Sequence, residues 1–496
     1  MPRARPASRQ VDPQGIQAFL DAVAADGLEL HGLMVFRAGA VVAEGYWAPY
    51  AAPRPHMLHS AVKSWTAAAV GLAVADGLLT LEDKVVGFFP EHCPSEISPN
   101  LAAMTIEDLL TMRSGHATGI SGGEWRSLRE SWVAAFLQEP VPFRPGEEFI
   151  YSSGSSYMLS AIVSRVTGRR IHAYLAERIF HPIGAGPGSW DLSPEGYNPG
   201  GNGLSCTLED MLKFGVLHLQ DGVWAGQRLL PEGWVARATR NHVREAWMAP
   251  LDGKRFIARD AMPAAAVERR EGYGYQWWMT ADGGYRASGL FGQQCIVLPR
   301  HDAVIAVTAG LPTPEPRLLA HLWQHVVPAL GRAAPGAGAT EDALFDRLGR
   351  LALPLPAGTA RSPVQAMIGG RRFAMAPNEA GVTAVAFAFA GDRCDVMLED
   401  ARGVHRITAG FGAPVEGETT MSGAMLHHAY EPDRLRVVAS ATWLDAHRLC
   451  MTWRFVETAF CDTVTCHFDG QALRLERRVN TNAGLTALPP IAGAMA

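Results

Sequence analysis

From Thr66 to Ala75 the chain carries no charge. It reads Thr-Ala-Ala-Ala-Val-Gly-Leu-Ala-Val-Ala, mostly strong helix formers, with Gly77 just beyond in the usual C-terminal position. An amphipathic surface helix would carry a polar stripe. This run predicts instead a helix over His59 to Gly77 that is buried on most sides. At its polar start, Ser60 and Lys63 lie three residues apart and project from one face, at the end where unpaired N–H groups favour negative charge.

That spacing brings a hydroxyl to an amine. A serine hydroxyl is a poor nucleophile until a base takes its proton, and a lysine can be that base only when burial or a second cation lowers its pKa. Arginine cannot substitute, because it stays protonated. Lys63, Lys84, Lys213 and Lys254 are the only lysines in the chain, so one placed beside Ser60 on an apolar helix carries weight that a common residue would not. The plainer alternative is a capping serine followed by a surface lysine.

With 496 residues the chain exceeds one ordinary core and predicts at least two domains. Its 48% hydrophobic and 19% charged residues are globular values, and a net charge of −5 without basic runs argues against nucleic acid as a partner. The first residues, Met1 to Asp12, lead into no apolar signal region, and no later run is long enough to span a bilayer, which predicts a soluble cytoplasmic protein without a membrane partner. Seven scattered cysteines suit reduced thiols. Cys461 and Cys466 have the wrong spacing for half a metal site, so no metal or other cofactor is expected.

Along the chain, Ile16, Phe19, Leu20 and Val23 predict an N-terminal amphipathic helix, and the runs Leu33 to Phe36 and Val41 to Trp47 a hairpin. Thr105 and Asp108 form a capping-box pattern before a short helix closed by Gly115. Around Tyr151 and Ser153 a serine-rich bend predicts a loop, with a helix from about Ser156 to Val166. Gly200 to Gly203 read as a loop before a helix capped by Thr207. Arg240 to Arg270 read as an insertion. Strands follow over Tyr273 to Met279, Tyr285 to Ser288, Gln294 to Leu298 and Ala303 to Thr308, then a helix from Arg317 to Leu330. Gly331 to Thr340 read as a linker and Glu341 to Leu351 as a short helix. Beyond them, alternation such as Val385, Phe387, Phe389 and Leu449, Met451, Trp453 predicts an antiparallel barrel or sandwich.

Three segments occur in order: Ser60-Ala61-Val62-Lys63, Tyr151-Ser152-Ser153 and Ala287-Ser288-Gly289. Together they resemble the serine β-lactamase and penicillin-binding-protein superfamily. The likeness is closer to its class C β-lactamase-like and esterase branch, whose second motif is tyrosine, any residue, asparagine. Thr105 to Gly115, Arg144 to Glu147 and Gly201 to Asp210 support it, and Ser288 to Gln293 is similar to the 6-aminohexanoate-dimer hydrolase subgroup. The resemblance covers roughly Pro13 to Leu330. It implies an α+β fold: an antiparallel sheet flanked by helices, with a helical insertion, here over 13–332. A C-terminal β-barrel over 341–480 resembles the extra barrel of some D-aminopeptidases, with a role in limiting access to the cleft or in self-association as a homo-oligomer.

The resemblance assigns Ser60 as the acylated nucleophile, Lys63 as proton acceptor and Tyr151 as the group that shuttles the proton to the leaving group. The N–H groups of Ser60 and Leu290 are the implied oxyanion donors, with Ser153, Ser288 and Gly289 lining the substrate site. Two positions depart from the pattern. Ser153 stands where asparagine is usual, and Ala287 where β-lactamases carry a lysine that helps hold a substrate carboxylate, which counts for a small ester or amide substrate and against a β-lactam. Arg286 is adjacent, but alternation turns it to the other face. The expected function is therefore a serine hydrolase of a small-molecule ester or amide. The alternatives are a β-lactamase or D-amino-acid peptidase, and a non-catalytic binding module with the same fold. A metal-dependent hydrolase lacks a clustered histidine motif.

Overall fold

The early hairpin and the late strands share one sheet. In the computed structural model, which describes residues 1–244, 246–248, 251–252, 255–256, 268–313, 316–332, 338–421 and 423–496, β1 (Leu30–Arg37) and β2 (Ala40–Tyr46) turn at Ala38 and Gly39, both with positive φ. Four later strands join them: β3 (Trp278–Met279), β4 (Tyr285–Gly289), β5 (Gln293–Leu298) and β6 (Ala303–Ala309). The order is β3-β4-β5-β6-β1-β2, antiparallel throughout, with Leu33 opposite Val307 and Ser288 opposite Gln294. Every residue of β5 and β6 is buried, which is why these strands read as continuous apolar runs rather than alternating ones.

Helix α1 (Pro13–Ala25) starts at an Asp12 cap and buries Ile16, Phe19, Leu20 and Val23, the predicted stripe. Helix α2 (Lys63–Ala75) is buried from Lys63 to Ala73, as its composition requires. It packs on α3 (Ser153–Thr167), and its Trp65 stacks on Phe214 of α4 (Leu208–Leu219) at 3.8 Å. Helix α4 in turn lies along β1, β5 and β6. The Thr105–Asp108 capping box is present in both directions.

Two local readings are corrected. The helix expected from His59 begins at Lys63, and residues 59–62 form a single 3-10 turn, because His59 has a left-handed backbone (φ 49°) that an α-helix cannot continue through. Ser153, expected on a loop, is the first residue of α3. The Ser152 side chain accepts from Gly154 N, so the serine-rich bend is the cap and first turn of the helix.

Residues 1–46, 51–309 and 315–351 form one compact unit, and 47–50, 310–314 and 352–496 the other. The first unit retains helix α5 (Gly338–Leu348), which packs on α1 and β2, so the helix expected to open the second domain belongs to the first. Of the expected insertion over 240–270, residues 245, 249–250, 253–254 and 257–267 lie outside the described residues, as do 333–337 of the expected linker.

The second unit is a barrel of β7 (Arg372–Met375), β8 (Ala384–Ala390), β9 (Arg393–Asp400), β10 (Gly403–Phe411), β11 (Val415–Thr419), β12 (Leu435–Trp443), β13 (Arg448–Arg454), β14 (Cys461–Asp469), β15 (Ala472–Val479) and β16 (Ile491–Met495). A short parallel pairing of β10 with β12, Gly410 opposite Ser440, closes nine strands into a ring, with β11 paired outside it on β12. Closure removes the exposed edges that an open sheet would present. Phe373, Phe387 and Phe468 meet edge-on or tilted inside it. The barrel extends past the expected limit of 480, since β16 supplies its closing partner for β7. Among the described residues no helix is long and apolar enough to cross a membrane.

Candidate active site

Lys63 is the centre of the site. Its Nζ donates to Gly201 O (2.8 Å), lies 3.1 Å from Ser153 Oγ and 3.2 Å from Ser60 Oγ. The side chain is 2% exposed, and no carboxylate is among these partners. Burial therefore pulls the Lys63 ammonium down to about 7. When Lys63 is neutral it has two protons and a lone pair, which match one carbonyl acceptor, one hydroxyl acceptor and one hydroxyl donor. In that state one of the two serine hydroxyls can turn its proton to the Nζ lone pair. Ser60 itself is half-buried, so its hydroxyl stays accessible while the amine behind it is dry.

Glycine at 201 leaves room for its carbonyl contact to Lys63 without displacing the neighbours. A Cβ there would stand 3.2 Å from Nζ and 3.1 Å from both Ser153 Cβ and Ser153 O. Gly200 to Gly203 read as a loop in the sequence, and residue type alone does not show that one of its carbonyls holds the Lys63 amine.

Tyr151 reaches Lys63 through its ring, whose centroid lies 5.0 Å from Nζ. The ring stacks on Trp278 of β3 (5.3 Å, 30°) and meets Phe256 edge-on (5.2 Å). Lys63's hydrogen-bonding hydroxyls are those of Ser60 and Ser153. A π face against an ammonium favours the charged form.

Gly289 brings the third motif against the turn that carries Ser60. A Cβ on Gly289 would fall 2.1 Å from Leu58 O and 3.1 Å from Ala61 N, so only glycine lets β4 end there. Leu290 opens the next turn, Leu290–Gly292, in which Phe291 has φ 66°. The Phe291 ring packs edge-on against His59 (4.9 Å, 88°), the other left-handed residue of the site. Each candidate oxyanion donor, Ser60 N and Leu290 N, is thus next to one of two strained residues whose rings touch. Sequence reading missed Phe291, since nothing in its type marks a positive φ.

Ser288 stands apart from the Lys63 network. Its Oγ accepts from Gln294 Nε2 (3.0 Å), and Gln294 Oε1 accepts from Arg286 (3.0 Å), all on the face of β4 opposite Ala287. Ala287 is buried in the core, with no cation in the place where a lysine would hold a carboxylate.

A sequence model of the Beta-lactamase family matches residues 17–327. The chain belongs to that family. The Beta-lactamase match covers the whole sheet and every residue of the site, and stops short of the barrel. Among similar proteins, the 6-aminohexanoate-dimer hydrolase of Paenarthrobacter ureafaciens is 28% identical over 299 residues, 57% of this chain and 73% of that enzyme. The lovastatin esterase of Penicillium rubens is 28% identical over 149 residues, 26% of this chain and 37% of that protein. The crystal structure of EstCE1, described as a hydrolase with promiscuous acyltransferase activity, superposes with a TM-score of 0.50 at 15% identity over 63% of this chain and 97% of its own, a likeness of fold.

Proposed function

We propose that this chain is a serine hydrolase that forms an acyl-enzyme on Ser60 and hydrolyses a carboxylic ester or amide of a small molecule. The observation that carries the reading is the 3.2 Å approach of Ser60 Oγ to a buried, charge-depleted Lys63 Nζ. Lys63 takes the Ser60 proton as Oγ attacks the substrate carbonyl carbon. The ring of Tyr151 favours the ammonium that results. The N–H groups of Ser60 and Leu290 receive the carbonyl oxygen as it becomes an anion, a contribution of about 10²–10³ in rate per donor in comparable sites. Gly289 lets β4 come close enough to serve as one wall.

The buried Ala287 favours an uncharged ester or amide over a β-lactam, because the position that would carry a cation for a substrate carboxylate is methyl-lined core. The names of the similar proteins point the same way, toward an amide in one case and an ester in the other.

The test is fluorophosphonate labelling of the full chain. Wild type is expected to be labelled on Ser60 and Ser60→Ala not at all. A panel of short acyl esters, the 6-aminohexanoate dimer, D-amino-acid amides and a chromogenic cephalosporin then ranks the substrate classes. Absence of labelling in the folded wild type would overturn the reading in favour of a binding module.

A further inference from the structure

Ser153 occupies a position in the site that its replacement of asparagine does not explain. Its Oγ accepts from Lys63 Nζ at 3.1 Å, the same relation that Ser60 has to that amine at 3.2 Å. It is the first residue of α3, a helix of 15 residues, where unpaired N–H groups stabilise negative charge on the oxygen. The proton of its hydroxyl has no acceptor among the described residues. Three of the four later serines of the same helix do differently: Ser156 donates to Gln276 Oε1 (2.6 Å), Ser160 to Asn198 O (2.7 Å) and Ser164 to Ser160 O (2.7 Å), while Ser155 Oγ makes no hydrogen bond among the described residues and does not touch Lys63. Ser153 is thus a hydroxyl that receives from the base and has a proton left to give.

Building on the acyl-enzyme reading above, we infer that the Ser153 hydroxyl, and not the Tyr151 phenol, delivers the proton from Lys63 to the leaving group. The step balances. Ser60 Oγ bonds to the carbonyl carbon and its proton passes to the Nζ lone pair. In the collapse of the tetrahedral adduct, the bond from carbon to the leaving atom breaks. The leaving atom takes the Ser153 proton, and the Lys63 ammonium returns a proton to Ser153 Oγ. The enzyme is left acylated on Ser60, with neutral Lys63 and an intact Ser153 hydroxyl. Water reverses the path in deacylation. An asparagine in this place could hold the amine and could not pass a proton on. Tyr151 meets Nζ with its ring face, which suits charge stabilisation.

The experiment separates proton delivery from positioning by leaving-group basicity. Turnover of p-nitrophenyl butyrate, whose phenolate departs unaided, is compared with that of ethyl butyrate, whose alkoxide needs a proton. A general acid contributes about 10²–10⁴ in rate where the leaving group requires it. Ser153→Ala is expected to lower both rates, and to lower the ethyl ester rate at least about 10²-fold further. Ser153→Asn, which keeps a hydrogen bond to Lys63, is expected to show the same split, and stands in if the alanine variant does not fold. Tyr151→Phe is expected to slow both esters by one common factor. Equal losses on both esters in the two Ser153 variants, or the split appearing in Tyr151→Phe instead, would overturn the assignment. Fluorophosphonate labelling of wild-type Ser60 is run alongside, since fluoride leaves without a proton: labelled wild type with equal losses sinks the relay alone, whereas unlabelled wild type sinks the acyl-enzyme reading itself.

Discussion

Gly201 holds its carbonyl oxygen 2.8 Å from Lys63 Nζ, and this contact fixes the amine between the two hydroxyls. It is a backbone contact from a loop 138 residues further along the chain. Adding a methyl at 201 must move either Nζ or the start of α3, both within 3.2 Å of where it would stand. Gly201→Ala is therefore expected to lower kcat/KM by up to about 10²-fold, the cost of displacing a catalytic group by about 1 Å, while the melting temperature changes by only a few degrees. Ester hydrolysis and thermal melts on the same sample check it. A variant with wild-type turnover would remove Gly201 from the site.

The buried Lys63 sets the pH dependence. Its ammonium titrates at about 7, and only the neutral form can accept the Ser60 proton. The rate of Ser60 acylation should rise with pH through that midpoint and level off above it. Lys63→Arg, locked in the charged form, should lose at least about 10³-fold at every pH. Stopped-time labelling with a fluorophosphonate across pH gives the curve directly, and a rate independent of pH from about 5 to 9 would show that another group is the base.

The same burial makes Lys63 a stability defect. An unfolded lysine titrates at 10.5 and the folded one at about 7, so below the lower value folding carries the full cost of burying the charge. That cost shrinks as pH rises from about 7 toward 10.5, because there folding releases the proton. A shift of this size corresponds to on the order of 5 kcal/mol, set against about 1–3 kcal/mol for each polar partner left unsatisfied when the amine is removed. Lys63→Met should be inactive, and its melting temperature relative to wild type should be highest near neutral pH and fall toward pH 10, as wild type loses the cost of burying the charge. A relative melting temperature that rises with pH would contradict the sign.

Much of this was legible in the residues. A charge-free run such as Thr66 to Ala75 points to an interior helix, and the late apolar runs separated by polar turns point to strands that need partners, which the early hairpin supplies, although of the run Tyr273 to Met279 only Trp278–Met279 joins the sheet. Ser60 and Lys63 were readable because helical and 3-10 spacing both bring positions three apart to one side. What stayed hidden depends on long-range approach. Nothing in a Gly-Gly-Asn-Gly loop says which carbonyl meets an amine, and nothing in Leu-Phe-Gly says that Phe291 takes a positive φ. The helix start at Ser153 is hidden in the sequence because four serines within five residues, Ser152, Ser153, Ser155 and Ser156, compete for the cap, and only the side chain that finds Gly154 N decides it. The helix over 338–348 was assigned to the wrong unit because its sequence shows an apolar face and not the surface it covers.

Phe291 and His59 give a test of how the oxyanion donors are held. Both have left-handed backbones, each a local cost of about 1–3 kcal/mol that the surrounding structure must supply, and their rings brace each other at 4.9 Å. Phe291→Ala keeps the strain and removes the brace, so Leu290 N should lose its fixed position. Turnover is expected to fall about 10²-fold, close to the loss of one donor, with KM little changed because the contact matters only once the oxygen becomes an anion. Phe291→Gly relieves the strain as well and should fold at least as stably while remaining slow. Recovery of activity in the glycine variant would show that backbone geometry alone, without the ring, holds the donor.

In the barrel, Asp462 is fully buried between His427 Nε2 (2.8 Å) and the Arg477 guanidinium (2.6 Å), with His427 stacked flat on Phe460. Burial pushes the Asp462 carboxyl up, and the charges of Arg477 and then His427 more than offset it, leaving it below its ordinary value. A carboxylate whose folded pKa is depressed adds stability above the ordinary carboxylate range and loses it as pH falls through the folded value. Asp462→Asn removes the buried carboxylate charge that faces both Arg477 and His427 and is expected to destabilise the barrel by about 3–5 kcal/mol at neutral pH. The difference from wild type should hold from neutral pH down to the ordinary carboxylate value of 3.8 and narrow only below it, because wild type then loses the same charge. Thermal melts of both chains across that range, read by tryptophan fluorescence from Trp443 and Trp453, measure it. A difference that stays constant down to the lowest pH would show that shape, and not the carboxylate charge, is what the variant has lost.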